Sequence, residues 1–589
     1  MGSIAVVHHA SASPDGEAAE RALRAAPHRG EELDVRTIGT ISVGISNAPE
    51  LRDAWLAAGD GRAAVVTGTL DNAAELGLDG ADPAETVLAA FEAWGEEAPG
   101  RLRGVFAGAW TDGTKLVVFR DHLGLAPLFH RESPDGLVTA TEGKQVAAGA
   151  GIDRAPDVEA VEAMFFGRFD ARGTMLRGVD RFPRASTATV GDGPVSFRRY
   201  WDPEPLLETA KLSVPEAREQ LSALVECAVH RSLTGADAVS LSGGIDSPTI
   251  AAYAASRTRE LTGGPLLAVS SVYPEDPGVD ESQWIELVTD HLGLRLHAYT
   301  PTSRPLDDVQ HWVDLLDGPV DTMSIPELAE NYRVARELGA RNVLTGEMAE
   351  WVFTFGQHLI GHLVLHGRAR ASAAWVRDQR ARGASWKVIV QRAGPSLVSP
   401  RLALRYLRAR RREDYRQLPE WVDQDAAGSP GPRPDLARPA RRRWLEHQLA
   451  PIVGAGAYSF DADAIVAAAC GVHVRRPLVD VDLWEFVLSL PAEIKFPNAL
   501  PKSLLRESVR GRLPDALLDR TDKTYFNDFA LRTADYDGLR RWALASEARI
   551  AGVDYGRLAE RIDARDLNVV ELLWAYDLAR AHAYLELFA

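Results

Sequence analysis

Val239-Ser240-Leu241-Ser242-Gly243-Gly244-Ile245-Asp246-Ser247-Pro248 decides the fold: a short apolar run enters a Ser-Gly-Gly turn and then a helix start. Two glycines predict a backbone that reaches φ > 0 and lets amide N–H groups approach an anion with no Cβ in the way. Ser242 and Ser247 add hydroxyl donors. Pro248 suits the first helical position, and the Thr-Ile-Ala-Ala-Tyr-Ala-Ala run after it has good helix character, so a helix N-terminus points its partial positive charge at whatever the loop holds. Asp246 would repel a phosphate unless a cation such as Mg²⁺ bridges the two, which implies a nucleotide carried with its metal. A bare Gly-Gly would be no more than a Gly-rich β-to-α turn. No GxxxxGK[ST] occurs, so a kinase-like P-loop is not supported.

Working outward, a helix is expected around Val214–Ser232 before the loop. Leu266–Val272 reads as a second strand, Glu281–Leu292 as a helix and Arg295–Tyr299 as a third strand. Strands alternating with helices of this length predict a parallel, doubly wound sheet that binds ligands beyond the carboxyl ends of its strands. Leu241, Ser242, Asp246 and Val272 all fall near such ends. Residues 1–200 differ: short β-branched runs (Ile4–Val7, Ala63–Val66, Lys115–Arg120) and one helical stretch, Ala84–Trp94, predict an antiparallel α+β domain.

A length of 589 residues is three or four ordinary domains' worth of chain, which large α/β domains would reduce to two. The net charge of −17 argues against a nucleic-acid-binding protein. Two cysteines, Cys227 and Cys470, are too few and too far apart for a disulfide framework or a CxxC site, and both are expected to be buried. No basic n-region opens the chain and no run of about 18 apolar residues occurs, so a cytoplasmic location is expected.

Several of these stretches carry a family resemblance. Ser242-Gly243-Gly244-Ile245-Asp246-Ser247 resembles the pyrophosphate loop of enzymes that split ATP between the α- and β-phosphates and transfer AMP. Thr67-Gly68-Thr69-Leu70-Asp71-Asn72, Arg101–Ala107, Arg120–Leu128, Thr141-Glu142-Gly143-Lys144 and Tyr200-Trp201-Asp202-Pro203 resemble, in order, the amidotransferase half of class B asparagine synthetases. Asp317-Gly318-Pro319-Val320-Asp321, Asn342–Glu350, Gly471–Asp480, Leu500–Arg506 and Arg520–Phe526 are similar to signatures of the synthetase half. The chain is identified as a member of the asparagine synthetase B superfamily on these matches, from residue 67 to 526.

The resemblance implies an N-terminal, Ntn-hydrolase-like αββα domain (residues 1–205) and a PP-loop ATP-pyrophosphatase domain (residues 206–589). A basic helical insertion with a Pro/Gly-rich segment, Gly428–Pro434, spans about 356–443. The glutaminase of the family uses an N-terminal Cys whose thiol attacks the amide. Position 2 is Gly2, and Ser3 lacks both the acidity and the spacing to replace it, so the first domain is expected to be an inactive scaffold.

In the second domain the resemblance implies ATP and Mg²⁺. Leu241, Ser242, Gly243, Gly244, Asp246, Ser247, Val272 and Gly346 would bind the nucleotide, and Asp246 with Glu350 the metal. Glu350 stands where the family has Asp. Lys523 and Lys502 would supply fixed cations where charge builds up on the α-phosphate and on departing pyrophosphate, and Glu347 would accept or orient the amine proton. Arg475 and Asp480 are expected to form an internal ion pair.

Two branches of the superfamily lack the Cys, β-lactam synthetases and lasso-peptide cyclases. Length, loss of the GSDE pattern and an arginine-rich insertion favour the cyclase. It would adenylate an Asp or Glu side chain of a precursor peptide and close a macrolactam with that peptide's N-terminal amine. A leader-binding protein and a leader peptidase would be its partners. The alternatives are a small-molecule β-lactam synthetase and a non-catalytic scaffold that binds peptide or nucleotide.

Overall fold

The computed structural model describes every residue except 1, 10–15, 79–81, 135, 169–171, 192, 320–323, 354–357, 400–401, 403–417, 428–438, 454–455, 499 and 522–523.

The first 200 residues form two stacked antiparallel sheets. β1 (Ser3–His9), β2 (Glu32–Ile38), β3 (Ile41–Asn47), β8 (Phe129–Ser133), β9 (Gly136–Ala140) and β10 (Asp180–Arg181) make one, ordered β10-β8-β9-β1-β3-β2. β4 (Ala54–Gly59), β5 (Arg62–Leu70), β6 (Gly104–Thr111), β7 (Leu116–Arg120), β11 (Ser186–Val190) and β12 (Ser196–Arg199) make the other, ordered β12-β11-β7-β6-β5-β4.

Strand periodicity explains the layering. Ile4, Val6, Val65, Ala107 and Val118 fill the space between the sheets, while Ala5 and Val7 face α1 (Gly16–Arg24) and α3 (Gly143–Gly149). Val66, Val117 and Phe119 face α2 (Pro83–Trp94). This is the expected αββα arrangement.

The second part is the expected parallel sheet: β13 (Asp237–Ser240), β14 (Leu267–Ser271), β15 (Arg295–Tyr299), β16 (Asn342–Leu344) and β17 (His473–Arg475), in the order β15-β14-β13-β16-β17. Strand order reverses between β13 and β16, and a parallel sheet opens its ligand crevice at such a point. α4 (Val214–Ser232), α5 (Asp246–Thr262), α6 (Ser282–Leu292) and α7 (Ile325–Glu337) pack on the sheet. A capping box between Ser213 and Glu216 starts α4 at the expected residue.

α8 (Glu350–Phe353) follows β16, then the insertion helices α9 (Leu359–Leu365), α10 (Ala369–Ala381) and α11 (Trp386–Leu397). The Pro/Gly-rich stretch Gly428–Pro434 lies outside the described residues. α12 (Val481–Ser489), α13 (Asn527–Arg532) and α14 (Val569–Leu585) complete the elements used below.

Cys227 and Cys470 are half-buried where full burial was expected, and both are free. That partial burial pushes both thiols up, Cys470 to about 11, so neither is a ready nucleophile.

Candidate active site

The loop after β13 and the loop after β16 meet at the switch point. Gly346 lies so close to the start of α5 that a Cβ there would sit 2.6 Å from the Ser247 nitrogen and 2.7 Å from the Asp246 Cβ. Only glycine fits, and backbone would have to move for anything larger.

Neither Gly243 nor Gly244 has a positive φ, contrary to expectation. Gly243 is required by approach instead: a Cβ would lie 2.8 Å from the Glu281 Cβ and 2.9 Å from the Trp284 Cβ, so the loop lies flat on the first turn of α6. Pro248 is the third helical residue, not the first, because α5 begins at Asp246; its missing N–H still falls among the unpaired first-turn donors.

Loop geometry is set by local bonds. Leu241 N–H donates to Val269 O (2.9 Å), Ser242 N–H to Ser247 Oγ (3.0 Å), and the two serine hydroxyls are 3.1 Å apart. Gly244 N–H reaches Ser242 Oγ at 3.4 Å. Ile245, Asp246 and Ser247 have no partner for their amide N–H among the described residues, which leaves donors at the N-terminus of a 17-residue helix. Val272 lies one residue past β14, its N–H on Tyr299 O.

Asp246 is half-buried and ion-paired to Lys502 through Oδ2, while Oδ1 is buried without a partner. Burial raises its pKa above its ordinary value; Lys502 opposes that, and the negative charge of Glu350 adds to it. Glu350 is exposed at the start of α8, in the loop that follows β16.

A buried carboxylate oxygen without a partner among the described residues suits Mg²⁺, which takes one or two protein carboxylates and completes its shell with phosphate oxygens and water. No cluster of three or more metal-ligating side chains occurs among the described residues.

Lys502 itself sits at φ 61°, and Met348, next to Glu347, at φ 64°. Non-glycine residues held there mark positions that the surroundings over-determine. Glu347 is exposed, its Oε2 4.0 Å from Arg476 Nη2. Behind it, buried Arg476 pairs with Asp463, which also accepts the Tyr332 hydroxyl. Lys523 lies outside the described residues; its neighbours Arg520 and Thr524 are held against Glu281 (3.1 and 2.7 Å). The structure thus brings together Leu241, Ser242, Gly243, Gly244, Asp246, Ser247, Gly346, Glu347, Glu350 and Lys502.

Sequence reasoning missed Glu281, Arg476, Asp463 and Tyr332. Arg476 stood inside a quoted motif without a role, whereas the others lie in helices or turns whose pattern says nothing of a site.

Arg475 and Asp480 do not pair. Arg475 reaches across to the first domain, to Asp71 Oδ2 (2.6 Å) and Thr69 Oγ1 (2.7 Å), because its strand ends at the domain boundary. Asp480 caps α12 through Leu483 N–H (3.0 Å), and burial lifts it to about 6.

The other motifs of the first domain do the same. Arg103 pairs with Asp482 (2.6 Å), Arg120 with Asp461 (2.6 Å) and Lys144 with Asp317 (3.5 Å), while Trp201 Nε1 donates to Glu485 (2.7 Å). All five stretches therefore carry a bond into the second domain.

At the other end of that domain Gly2 is buried at the head of β1. Any Cβ there would lie 2.5 Å from Asn47 Oδ1, 2.5 Å from Ser46 O and 2.7 Å from the Ala54 Cβ.

An antiparallel αββα domain clamped to a parallel sheet whose switch point holds a Ser-Gly-Gly-x-Asp-Ser loop and an Asp246–Lys502 ion pair defines a two-domain, nucleotide-dependent ligase. Residues 220–575 match the family model described as asparagine synthase, and residues 72–201 the glutamine amidotransferase domain. The chain belongs to the asparagine synthase family, and is an ATP-dependent, amide-forming enzyme of that kind.

It is 25% identical over 463 residues to asparagine synthetase (glutamine-hydrolyzing) 3 of Bacillus subtilis, covering 75% of this chain and 70% of that one. It is 28% identical over 343 residues to the carboxyethyl-arginine beta-lactam-synthase of Streptomyces clavuligerus, covering 55% of this chain and 63% of that one. No helix among the described residues is long and apolar enough to cross a membrane.

Proposed function

We propose that the protein is a lasso-peptide cyclase: it adenylates an Asp or Glu side chain of a precursor peptide and closes an isopeptide macrolactam with the peptide's N-terminal amine. The observation that carries this is the seat of Gly2. Both cysteines lie in the second domain, and position 2 has no room for a nucleophile, so the first domain supplies no ammonia from glutamine. The attacking amine then belongs to the substrate. An exposed Glu347 beside a basic insertion suits a substrate as large as a peptide.

In the first half-reaction the peptide carboxylate attacks the α-phosphorus of ATP and pyrophosphate leaves. The free amides of Ile245, Asp246 and Ser247, with the Ser242 and Ser247 hydroxyls, would hold phosphate oxygens. Leu241, Val272 and Gly346 would line the rest of the nucleotide seat.

Asp246 and Glu350 would hold Mg²⁺, which when bound neutralises phosphate charge. Lys502 and Lys523 would stabilise the charge that develops on the α-phosphate and on the leaving group. In the second half-reaction the amine attacks the acyl carbon, Glu347 takes its proton, and AMP leaves. Holding both ends of one peptide supplies much of the rate.

The test is the purified chain with ATP, Mg²⁺ and a precursor peptide carrying a ring Asp or Glu. A peptide lighter by one water, with one AMP formed, is expected. A leader-binding protein and a leader peptidase are proposed partners that deliver the trimmed peptide.

The second reading, a β-lactam synthetase acting on a small β-amino acid, is favoured by the similarity to the Streptomyces clavuligerus protein. Turnover of a small carboxylate with every peptide refused would establish it. A non-catalytic scaffold is disposed of by acceptor-dependent pyrophosphate release that Asp246→Ala abolishes with the fold intact.

A further inference from the structure

We infer that Glu281 is a positioning residue that fastens the pyrophosphate loop to Arg520 and Thr524. Glu281 immediately precedes α6, and its carboxylate accepts from two separate stretches of chain. Oε2 takes the Gly243 N–H (2.9 Å); Oε1 takes Arg520 Nη1 (3.1 Å) and the Thr524 hydroxyl (2.7 Å).

Arg520 closes the circuit by donating Nη1 to Gly243 O (2.7 Å) and Nη2 to Thr524 Oγ1 (3.1 Å), with its guanidinium 4.9 Å from the Trp284 ring centroid. The Glu281 and Arg520 side chains are 18% and 8% exposed, so water competes weakly for these bonds.

Two consequences follow from this circuit. Both polar groups of Gly243 are held, which fixes the peptide planes on either side of it and leaves the amides of Ile245, Asp246 and Ser247 as loop donors without a partner among the described residues. Arg520 and Thr524 are tied to one carboxylate, and through it both residues are joined to the Gly243 turn of the loop. Preorganisation of this kind lowers a barrier without the residue touching the reacting atoms.

The inference rests on ATP being split at this loop, and not on which acid is activated. It is tested on the full chain with Glu281→Gln, which keeps shape and can still accept from Gly243 but loses the charge opposite Arg520. The expected result is tryptic cleavage after Arg520 about tenfold faster than in the parent protein, the size of effect one lost charge-assisted bond gives. MgATP should protect the parent at this bond and the variant less.

With an active acceptor, kcat for AMP formation should fall about tenfold while KM for MgATP moves less than about threefold. Glu281→Gln combined with Arg520→Met should be no worse than the more severe single change, because both break one network.

Unchanged cleavage after Arg520, or a rise confined to KM for MgATP, overturns the inference. Cleavage and MgATP protection need no acceptor, so they decide the matter even if no peptide is cyclised.

Discussion

Restoring the family's nucleophile by Gly2→Cys should cost stability and return no glutaminase. A Cβ at position 2 would meet three groups at once, at 2.5, 2.5 and 2.7 Å. Ordinary contact begins near 3.5 Å, so the overlap is about 1 Å on each.

None of the three can retreat cheaply. Asn47 Oδ1 already accepts from Asp53 and Ala54 N–H (3.2 and 3.1 Å), and Ser46 O lies on β3, which is paired residue for residue with β1. Gly2 itself is tied by its N–H to Asp53, and Ser3 Oγ to Ser46 Oγ (2.8 Å) and Gln145 (2.8 Å).

Forcing a methylene into such a site costs roughly 1–3 kcal/mol. In a domain of this size that is a fall in melting temperature of roughly 2–12 °C. Gly2→Ala isolates the packing effect; Gly2→Cys, made with a free N-terminal Cys, adds the thiol. Both are read by calorimetry and by glutamate release from L-glutamine. A Gly2→Cys protein that melts with the parent and hydrolyses glutamine would refute the argument, and with it the reason for placing the amine in the substrate.

Gly346→Ala should cut AMP formation by about a hundredfold, the effect of displacing the start of α5 by about 1 Å, with circular dichroism unchanged; parental turnover would show the two loops do not work together. Arg475→Met should destabilise by about 3–5 kcal/mol through the unpaired Asp71, and Asp71→Asn on top of it should recover part of that loss. Additive losses in calorimetry would separate the two residues.

The pH dependence has a sign that follows from the domain boundary. Burial first, and then Arg103, hold His122 down at about 3, although Asp482 pulls the other way; its stabilisation is complete above its ordinary 6.5 and is lost as pH falls from there toward 3. Burial raises Asp480 to about 6, against the nearby Arg231; its contribution is present below the ordinary 3.8 and is lost as pH rises through 6. Between pH 6.5 and 4 the two oppose each other. His122→Phe should flatten the decline in melting temperature over that range, and Asp480→Asn, which can still cap α12, should steepen it; the reverse order would overturn both assignments.

How much of this was legible depended on whether a residue's role is local. The β13 loop and the α4, α6 and β15 boundaries were readable because turn chemistry, capping and periodicity act over a few residues. Gly243 and Gly346 were recognised as necessary, but the reason for Gly243 was not the one expected: its φ is ordinary, and what it makes room for, the first turn of α6, lies 38 residues away in the chain.

Glu281 was invisible for the same reason, since a carboxylate before a helix reads as a solvated acid until Gly243 and Arg520 are brought to it. Arg475 shows the limit most clearly. It and Asp480 belong to one family-like motif, so pairing them was the economical expectation, yet the partner is Asp71, 404 residues away.

The five first-domain motifs look like remnants of a glutaminase when read along the chain. In space Asp71, Arg103, Arg120, Lys144 and Trp201 are among the contacts that hold this domain onto the synthetase. Residues 1–205 hold no cysteine, yet these stretches have a use that needs none, because the side chains that bind the partner domain do so through charge and hydrogen bonds.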